Sequence, residues 1–270
     1  MNGWVYTHAL DPVLLHLGPF RIGWYGLMYA IAFLNFYWMM TRRGKQSGAL
    51  VAADDVPNLL TYVILGVILG GRLGWVLFYG GMQYFYEPWR ILETWKGGMS
   101  FHGGMLGVLL AVWLFCRRRG ISLIGLNDYA IIWVAVGLGL GRIGNFINGE
   151  LYGKPTDGTW GVIFPGDPSR LPRHPSQLYE AALEGLLMFA VLYVLKRKAP
   201  WHGLQPAAFL FLYGLSRIAI ELIRLPDPQL GYLLFGFGTM GQILSLPMTL
   251  AGLAWIASIV WKGRGRKATV

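Results

Sequence analysis

The stretch Gly141-Arg142-Ile143-Gly144-Asn145-Phe146-Ile147-Asn148-Gly149-Glu150 follows directly on the apolar run from Tyr129 to Leu140. It sets a guanidinium and two amides into the last turns of a membrane-length helix. On insertion scales one Arg at a helix centre costs roughly 2.5 to 3.5 kcal/mol, so an ionisable residue inside such a run marks a functional site by default. The alternatives are an Arg that snorkels to the surface or pairs with a neighbouring helix. From this stretch alone all of them stay open.

Composition extends the membrane reading to the whole chain. Of 270 residues, 55% are hydrophobic and only 13% charged, and the apolar residues fall in long runs rather than periodic half-buried faces, which describes a bundle of spans. Runs long enough to cross about 30 Å of hydrocarbon are expected at residues 22–40, 59–79, 99–116, 129–148, 178–195, 204–225 and 241–261. The fold class is therefore an all-α polytopic membrane protein of about seven transmembrane helices. The first run lacks a small-residue cleavage site and continues into Thr41-Arg42-Arg43-Gly44-Lys45, so it reads as a retained span rather than a removed signal peptide. Residues 1–270 read as one transmembrane domain. Within it the Gly- and Pro-rich segment 149–177 is expected to form a small cap over the bundle mouth.

A net charge of +10 would suit a nucleic-acid partner if it were clustered on one face of a soluble domain, but its distribution argues against that. Thirteen of the 23 Lys and Arg follow alternate spans: Arg42, Arg43, Lys45; Arg117, Arg118, Arg119; Lys196, Arg197, Lys198; and Lys262, Arg264, Arg266, Lys267. By the positive-inside rule that side is cytoplasmic, which places the N-terminus outside and the C-terminus inside, with an odd number of spans between them.

Cys116 is the only cysteine, so no intrachain disulfide forms. The five histidines, His8, His16, His102, His174 and His202, are scattered and none lies in a His-Glu-x-x-His pair, so no metal is expected. No phosphate-binding glycine loop appears and no cofactor is implied. Gly66, Gly70 and Gly74, Gly103 and Gly107, and Gly137 and Gly141 repeat at four-residue spacing, which reads as close helix packing.

With this topology the unusual polar groups gather on one side. Arg72, Arg142 and Asn145 lie near the outer ends of outward-running spans; at 1.5 Å per residue the two guanidinium positions sit roughly 9 to 11 Å below those ends. Tyr213, Arg217, Glu221 and Arg224 occupy the outer half of the sixth span, and Tyr25, His102, Gln177, Glu180 and Glu184 also fall near the outer surface. A transporter keeps its site near the midplane, whereas a site confined to one half suits chemistry on a lipid of that leaflet. Tyr213, Arg217 and Glu221 recur every four residues and share a helical face, as do Arg142 and Asn145. If these faces meet they enclose guanidiniums, a carboxylate, a phenol and an amide; the competing reading is a salt-bridged helix pair in which Arg217 and Glu221 neutralise each other. Guanidiniums match phosphate through paired donors, which points to an anionic lipid. His102, between Phe101 and Gly103-Gly104 at the outer start of the third span, is a further candidate, and His174 a weaker one. A lipid-binding or lipid-moving protein that performs no chemistry is the second reading.

At these residues the chain resembles the prolipoprotein diacylglyceryl transferase family. GRIGNFINGELYG at 141–153 carries the likeness, supported in order by WYGLMY at 24–29, GGRLGWVLFY at 70–79, GGMSFHGG at 97–104, RHPSQLYEA at 173–181, YGLSRIAIELIRLPD at 213–227 and MGQILSLPM at 240–248. The segment from Phe164 to Arg173 is shorter than in some members. The resemblance implies an enzyme of the bacterial inner membrane, its active site facing the periplasm. Such an enzyme moves the diacylglyceryl group of phosphatidylglycerol onto the lipobox cysteine of a prolipoprotein signal peptide and releases glycerol 1-phosphate. It implies catalytic roles for His102, Arg142 and Arg217, and substrate binding by Tyr25, Arg142, Asn145, Glu150, Gly153, Tyr213, Arg217 and Glu221. Arg142 and Arg217 suit phosphate binding, Asn145 and Tyr25 headgroup hydrogen bonds, and Gly153 close backbone approach. Glu150 suits orientation of an Arg or of the loop, while Arg72 and Glu221 read as supporting partners. Free cysteine is only a few percent thiolate at neutral pH, so either His102 as base or the positive field of the arginines must activate the thiol.

The basic clusters generate a direct test. A reporter active only in the cytoplasm is expected to function when fused after Lys198 or at Val270 and to stay inactive after Tyr79 or near Asp157; activity at both sets of sites overturns the topology.

Overall fold

A computed structural model describes residues 3–18, 20–199, 201–225 and 239–267. The described chain is mostly helical and divides into two compact units, one of Met1–Phe36 with Asn127–Val270, the other Tyr37–Leu126. The long helices are α1 Trp24–Gly44, α2 Val56–Tyr79, α3 Phe101–Arg119, α4 Leu123–Asn148, α5 Ser176–Lys198, α6 Leu204–Glu221 and α7 Met240–Lys267. Each falls on one of the expected spans. Among the described residues, four segments are long and apolar enough to cross a membrane by length and composition: Ala53–Tyr79, Leu123–Asn148, Ser176–Lys198 and Met240–Lys262. The other three are diluted by aromatic and amide side chains in α1, by glycines and a basic end in α3, and by Gln205, Arg217 and Glu221 in α6.

In the unit Tyr37–Leu126, α2 and α3 pack along their glycines as expected. A Cβ at Gly66, Gly70 or Gly74 would stand 2.7 Å from backbone atoms of Gly107 or Gly103, so the two helices approach backbone to backbone. Pro57 occupies the first turn of α2, where its missing N–H leaves no hydrogen bond unmade. At the start of α3 the Ser100 hydroxyl accepts from the Gly103 N–H at 3.2 Å, and Gly120 ends the helix in the left-handed conformation.

Arg72, buried in α2, satisfies its donors locally. Its Nε donates to the Ile91 carbonyl at 2.8 Å and its Nη1 to Gly97 and Gly98 at 2.8 and 3.1 Å, while Nη2 reaches the Arg90 carbonyl. These carbonyls belong to the run of short helical turns Gln83–Tyr86, Pro88–Leu92 and Thr94–Lys96 and the glycines that follow. Arg72 therefore anchors that loop through its backbone carbonyls.

The other unit holds α1 up to Phe36, α4 from Asn127, and α5 to α7. Its core joins Ile132 and Ala135 of α4, Met188 and Leu192 of α5 and Ala208 of α6. The expected close packing at Gly137 and Gly141 falls elsewhere on α4. A Cβ at Gly141 would meet nothing and one at Gly137 only an ordinary contact with Ala32, whereas Gly139 lies against Gly185 of α5, with its Cβ position 3.0 Å from the Gly185 Cα. Residues 181–187 of α5 form a π-helical stretch, a widened turn of a kind found often at functional sites.

The all-α expectation needs one correction. β1 Trp4–Thr7 pairs in parallel with β4 Trp160–Ile163, and β2 Val13–Leu17 pairs antiparallel with β3 Phe20–Gly23. β1 and β4 belong to the segments bordering the helices, where a chain leaving a helix must satisfy its backbone groups by another route. Segment 149–177 is tied down strongly. Gly153 N–H donates to the His174 carbonyl, Lys154 N–H to the Ile223 carbonyl, and Val162 and Arg173 exchange two bonds of 2.9 Å. Phe164, fully buried, stacks on Tyr152 at 5.0 Å and packs near Phe146 and His8, whose Nε2 donates to the Phe146 carbonyl at 2.8 Å.

Asp167 and Arg173 close this segment with a buried ion pair supported by Ser169. The Arg173 guanidinium holds the Asp167 carboxyl down at about 2, well below the usual carboxylate value. A depressed folded-state value means the pair stabilises fully above the unfolded value of about 3.9 and loses that contribution as pH falls towards about 2. Asp167→Asn leaves Arg173 without its partner and should cost on the order of 3 kcal/mol locally. Limited proteolysis should nick residues 154–172 faster in the variant at pH 7, and the gap should close between about pH 4 and 2. Equal cleavage at pH 7 would remove the pair from the stability of this segment.

Candidate functional site

The site assembles where α4, α5 and α6 present charged groups inside an apolar surrounding. Arg142 comes from α4 on the turn that carries Asn145; Glu180 and Glu184 come from α5, four residues apart and on either side of the start of its π-helical stretch; Tyr213, Arg217 and Glu221 line one face of α6. Gly139 and Gly185 bring α4 and α5 into backbone contact one turn away, which is what lets two short acidic side chains reach the Arg142 guanidinium.

The geometry is a continuous ion-pair network. Arg142 Nε lies 2.7 Å from Glu180 Oε2, and its Nε and Nη2 donate to Glu184 Oε2 at 3.2 and 3.1 Å. Arg217 Nη2 donates to Glu221 at 2.5 Å, and its Nη1 stands 3.6 Å from Glu180 and 3.8 Å from Glu184. Arg224 Nη1 completes the set, 3.9 Å from Glu180 Oε1. On the far side of Glu221, Thr239 donates its hydroxyl proton at 2.7 Å, and Gly241 allows α7 to begin against the carboxylate. Glu180 and Glu184 are only 1% and 0% exposed, so all their charge must be met inside the protein.

This changes the electrostatic reading. The sequence suggested an excess of guanidiniums around one carboxylate, whereas Arg142, Arg217 and Arg224 face Glu180, Glu184 and Glu221 in equal number. The positive field is matched rather than open. The competing expectation, that Arg217 and Glu221 neutralise each other, holds for that pair but does not exhaust the site. Several groups keep unmet capacity: Arg217 Nη1, both oxygens of Glu180 and Glu184 Oε1 are buried and within ion-pair range, yet none makes a hydrogen bond.

The other sequence-selected residues frame this network. Asn145 and Asn148 both donate to Glu150 Oε1, at 2.9 and 3.2 Å, so Glu150 orients two amides of the signature stretch rather than an arginine. The Glu150 carbonyl in turn accepts from Gln177 at 2.6 Å. Tyr25 lies against Gly144, where a Cβ would stand 2.7 Å from its ring, and its hydroxyl is 3.4 Å from that of Tyr29. Tyr213 stacks on Phe209 at 5.9 Å with its phenol in the field of Arg217, Arg142, Glu184 and Glu180. Gly153 has a packing reason of its own: a Cβ there would stand 2.8 Å from both His174 Cβ and the Ile223 carbonyl. His174 meets Trp160 edge to face and Tyr179 at 3.4 Å, which makes it part of the same packing.

His102 sits in the first turn of α3, exposed, in the unit Tyr37–Leu126 together with Arg72; the network belongs to the other unit. Among the described residues no group of His, Cys, Asp and Glu is arranged to hold a metal ion. Sequence reasoning expected Glu180 and Glu184 near the outer surface but named neither as a site residue. The signal was available, because Gln177, Glu180 and Glu184 repeat at three and four residues within an apolar run and therefore share one face.

Comparison with known proteins agrees with the signature. The model of the family described as prolipoprotein diacylglyceryl transferase matches residues 12–258. The phosphatidylglycerol–prolipoprotein diacylglyceryl transferase of Azotobacter vinelandii is 50% identical over 248 residues, covering 92% of this chain and 94% of the relative. That of Pseudomonas aeruginosa is 50% identical over 256 residues, 94% of each chain. With a buried arginine–carboxylate network built on the signature helix, and likeness of this extent along nearly its whole length, the chain belongs to the prolipoprotein diacylglyceryl transferase family and is a transferase.

Proposed function

We propose that this protein transfers the diacylglyceryl group of phosphatidylglycerol to the lipobox cysteine thiol of prolipoproteins, forming a thioether and releasing glycerol 1-phosphate. The reaction takes place at the outer leaflet of the bacterial inner membrane. The observation that carries the reading is the convergence of Arg142 from α4 and Arg217 from α6 on one pair of buried carboxylates. Guanidiniums brought from separate helices to the same carboxylates are placed to act on one anion together, and their planar donors favour phosphate over a spherical anion. In this proposal the seven long helices all span, with the N-terminus outside, the C-terminus cytoplasmic, and segment 149–177 as a periplasmic cap.

The chemistry follows from what must break. The thiol sulfur attacks a glycerol carbon, and the carbon–oxygen bond to phosphate breaks with its electron pair on the phosphate. Charge therefore grows on the leaving group, where preorganised donors lower the barrier most. Glu180, Glu184 and Glu221 hold the guanidiniums in place before lipid arrives, so little reorganisation is needed when it binds. Asn145, fixed by Glu150, and Tyr25, seated on Gly144, supply headgroup hydrogen bonds, with Tyr213 beside them. His102 is assigned to the substrate-facing end of α3.

Arg142→Lys keeps the charge and can keep the ion pair to Glu180, but an ammonium lacks the planar paired donors. Turnover of phosphatidylglycerol with a lipobox peptide, read as thioether-linked product, is expected to fall on the order of 10²-fold, the scale of one lost transition-state donor. Near-normal turnover at wild-type expression would make Arg142 structural.

A further inference from the structure

Where α2 ends, its outward-turned apolar surface continues. Leu65, Leu69, Leu73 and Leu77, four residues apart, form one exposed stripe along the helix. Beyond Tyr79 come Met82, Tyr86, Trp89, Leu92 and Trp95, each between 59% and 76% exposed and three or four residues from the next. They lie on or beside the short helical turns Gln83–Tyr86, Pro88–Leu92 and Thr94–Lys96. Single exposed apolar residues are ordinary on a protein surface, but a contiguous set of this size marks an interaction surface.

Three constraints say what covers it. Residues 80–98 are broken by 3-10 turns and glycines and are too short to cross about 30 Å of hydrocarbon, and irregular backbone exposed to lipid is not tolerated within the hydrocarbon itself. Tyr and Trp, which make up three of the five exposed side chains, settle at the level of the lipid headgroups. The segment is also uncharged overall: Glu87 and Glu93 balance Arg90 and Lys96, and Arg90 is paired with Glu87 at 2.5 Å. Its attraction to a membrane therefore comes from apolar and aromatic burial rather than from anionic headgroups. Arg72 completes the case. Only 5% exposed, it spends its donors on the carbonyls of Arg90, Ile91, Gly97 and Gly98, which supplies from inside the protein the hydrogen bonds that water gives an ordinary loop.

We propose that residues 82–95 are a membrane-docking segment, seated in the plane of the outer leaflet's headgroup region, and that this seat sets the depth at which α3 begins. The inference rests on the reading of α2 as an outward-running span. The link to α3 is short and firm. Arg72 holds both the segment and Gly97-Gly98, the Ser100 N–H donates to the Gly71 carbonyl at 2.8 Å, and a Cβ at Gly74 would stand 2.7 Å from the Gly103 Cα. The docked segment, the outer end of α2 and the first turn of α3 are thus tied together, and His102, in that turn, is held at a fixed height against the lipid headgroups.

Depth can be measured directly. Nitroxide labels are placed singly in full-length Cys116→Ala protein, in nanodiscs of phosphatidylglycerol mixed with a zwitterionic lipid. The labelled positions are Leu69 in α2, then Tyr86, Trp89, Leu92 and Trp95, with exposed Asp157 as the solvent reference. Collisions with oxygen, which concentrates in hydrocarbon, are compared with collisions with a nickel chelate, which stays in water. The Leu69 label should read hydrocarbon, and the four labels of the segment about 5 to 10 Å into the boundary between headgroups and acyl chains. Their depth should stay the same in zwitterionic lipid alone and at about 1 M salt, where charges are screened beyond about 3 Å. Nickel accessibility at residues 86–95 equal to that at Asp157 leaves the surface to a protein partner and overturns the proposal, as does a depth that is lost with the anionic lipid or with salt. A water-accessible Leu69 label refutes the span beneath it, a result distinct from failure of the docking segment. The depth-setting role is read at Met99, just before α3: with Trp89→Ser and Trp95→Ser together, exposed changes that leave the packed interior alone, nickel accessibility of a label there should rise several-fold. An unchanged value at Met99 overturns that role.

Discussion

Two carboxylates with almost no solvent exposure, Glu180 and Glu184, set the terms for the rest of the structure. An isolated buried carboxylate costs several kcal/mol, and two of them four residues apart repel each other, so the fold is possible only if cations arrive from elsewhere. They arrive from α4 and from α6. The same requirement acts in reverse on Arg142, which lies in an apolar helix and needs an anion. Mutual neutralisation therefore fixes how three helices are rotated about their axes, because only one rotation of each brings its charge to the common point.

Packing details serve that alignment. Gly139 and Gly185 remove the side chains that would hold α4 and α5 apart, and the π-helical turn at residues 181–187 widens α5 where its acidic face begins. Gly241 does the same for α7 against Glu221. These glycine contacts serve the site, whereas the seam of Gly66, Gly70 and Gly74 against Gly103 and Gly107 serves the packing of α2 on α3. Guanidiniums held between buried carboxylates are fixed in place before a ligand arrives, and donors so fixed are what a leaving phosphate can use.

Two arginines within apolar helices show how differently the same residue type can be settled. Arg72 turns to the carbonyls of residues 90–98 and anchors a loop, while Arg142 turns to acids and joins the site. Carbonyl dipoles orient a guanidinium but leave its full charge in place; carboxylates cancel it and can be exchanged for phosphate. Only the second arrangement is suited to binding an anion that must come and go.

Much of this was legible in the sequence. The long apolar runs, the shared face of Tyr213, Arg217 and Glu221, and the small-residue faces of Gly66/Gly70/Gly74 and Gly103/Gly107 follow from local spacing, because helical periodicity is a property of the chain itself, and the family signature at 141–153 was legible as a resemblance. What spacing cannot report is which faces meet. Gly137 and Gly141 carried the same pattern as the other pairs, yet the contact fell at Gly139. Glu180 and Glu184 were visible as polar residues near one end of a span, but not as the centre of the network. Arg72 and Arg142 looked alike. The short sheets of β1 with β4 and β2 with β3 were not foreseen, since their partners lie far apart in the chain or in stretches with no strand pattern strong enough to stand out. The sequence determined the helices and the chemical groups they carry. Only the tertiary structure decided the partner of each charge, because the energy of a buried ion depends on what lies within a few ångströms of it, and that distance is set by neighbours remote along the chain.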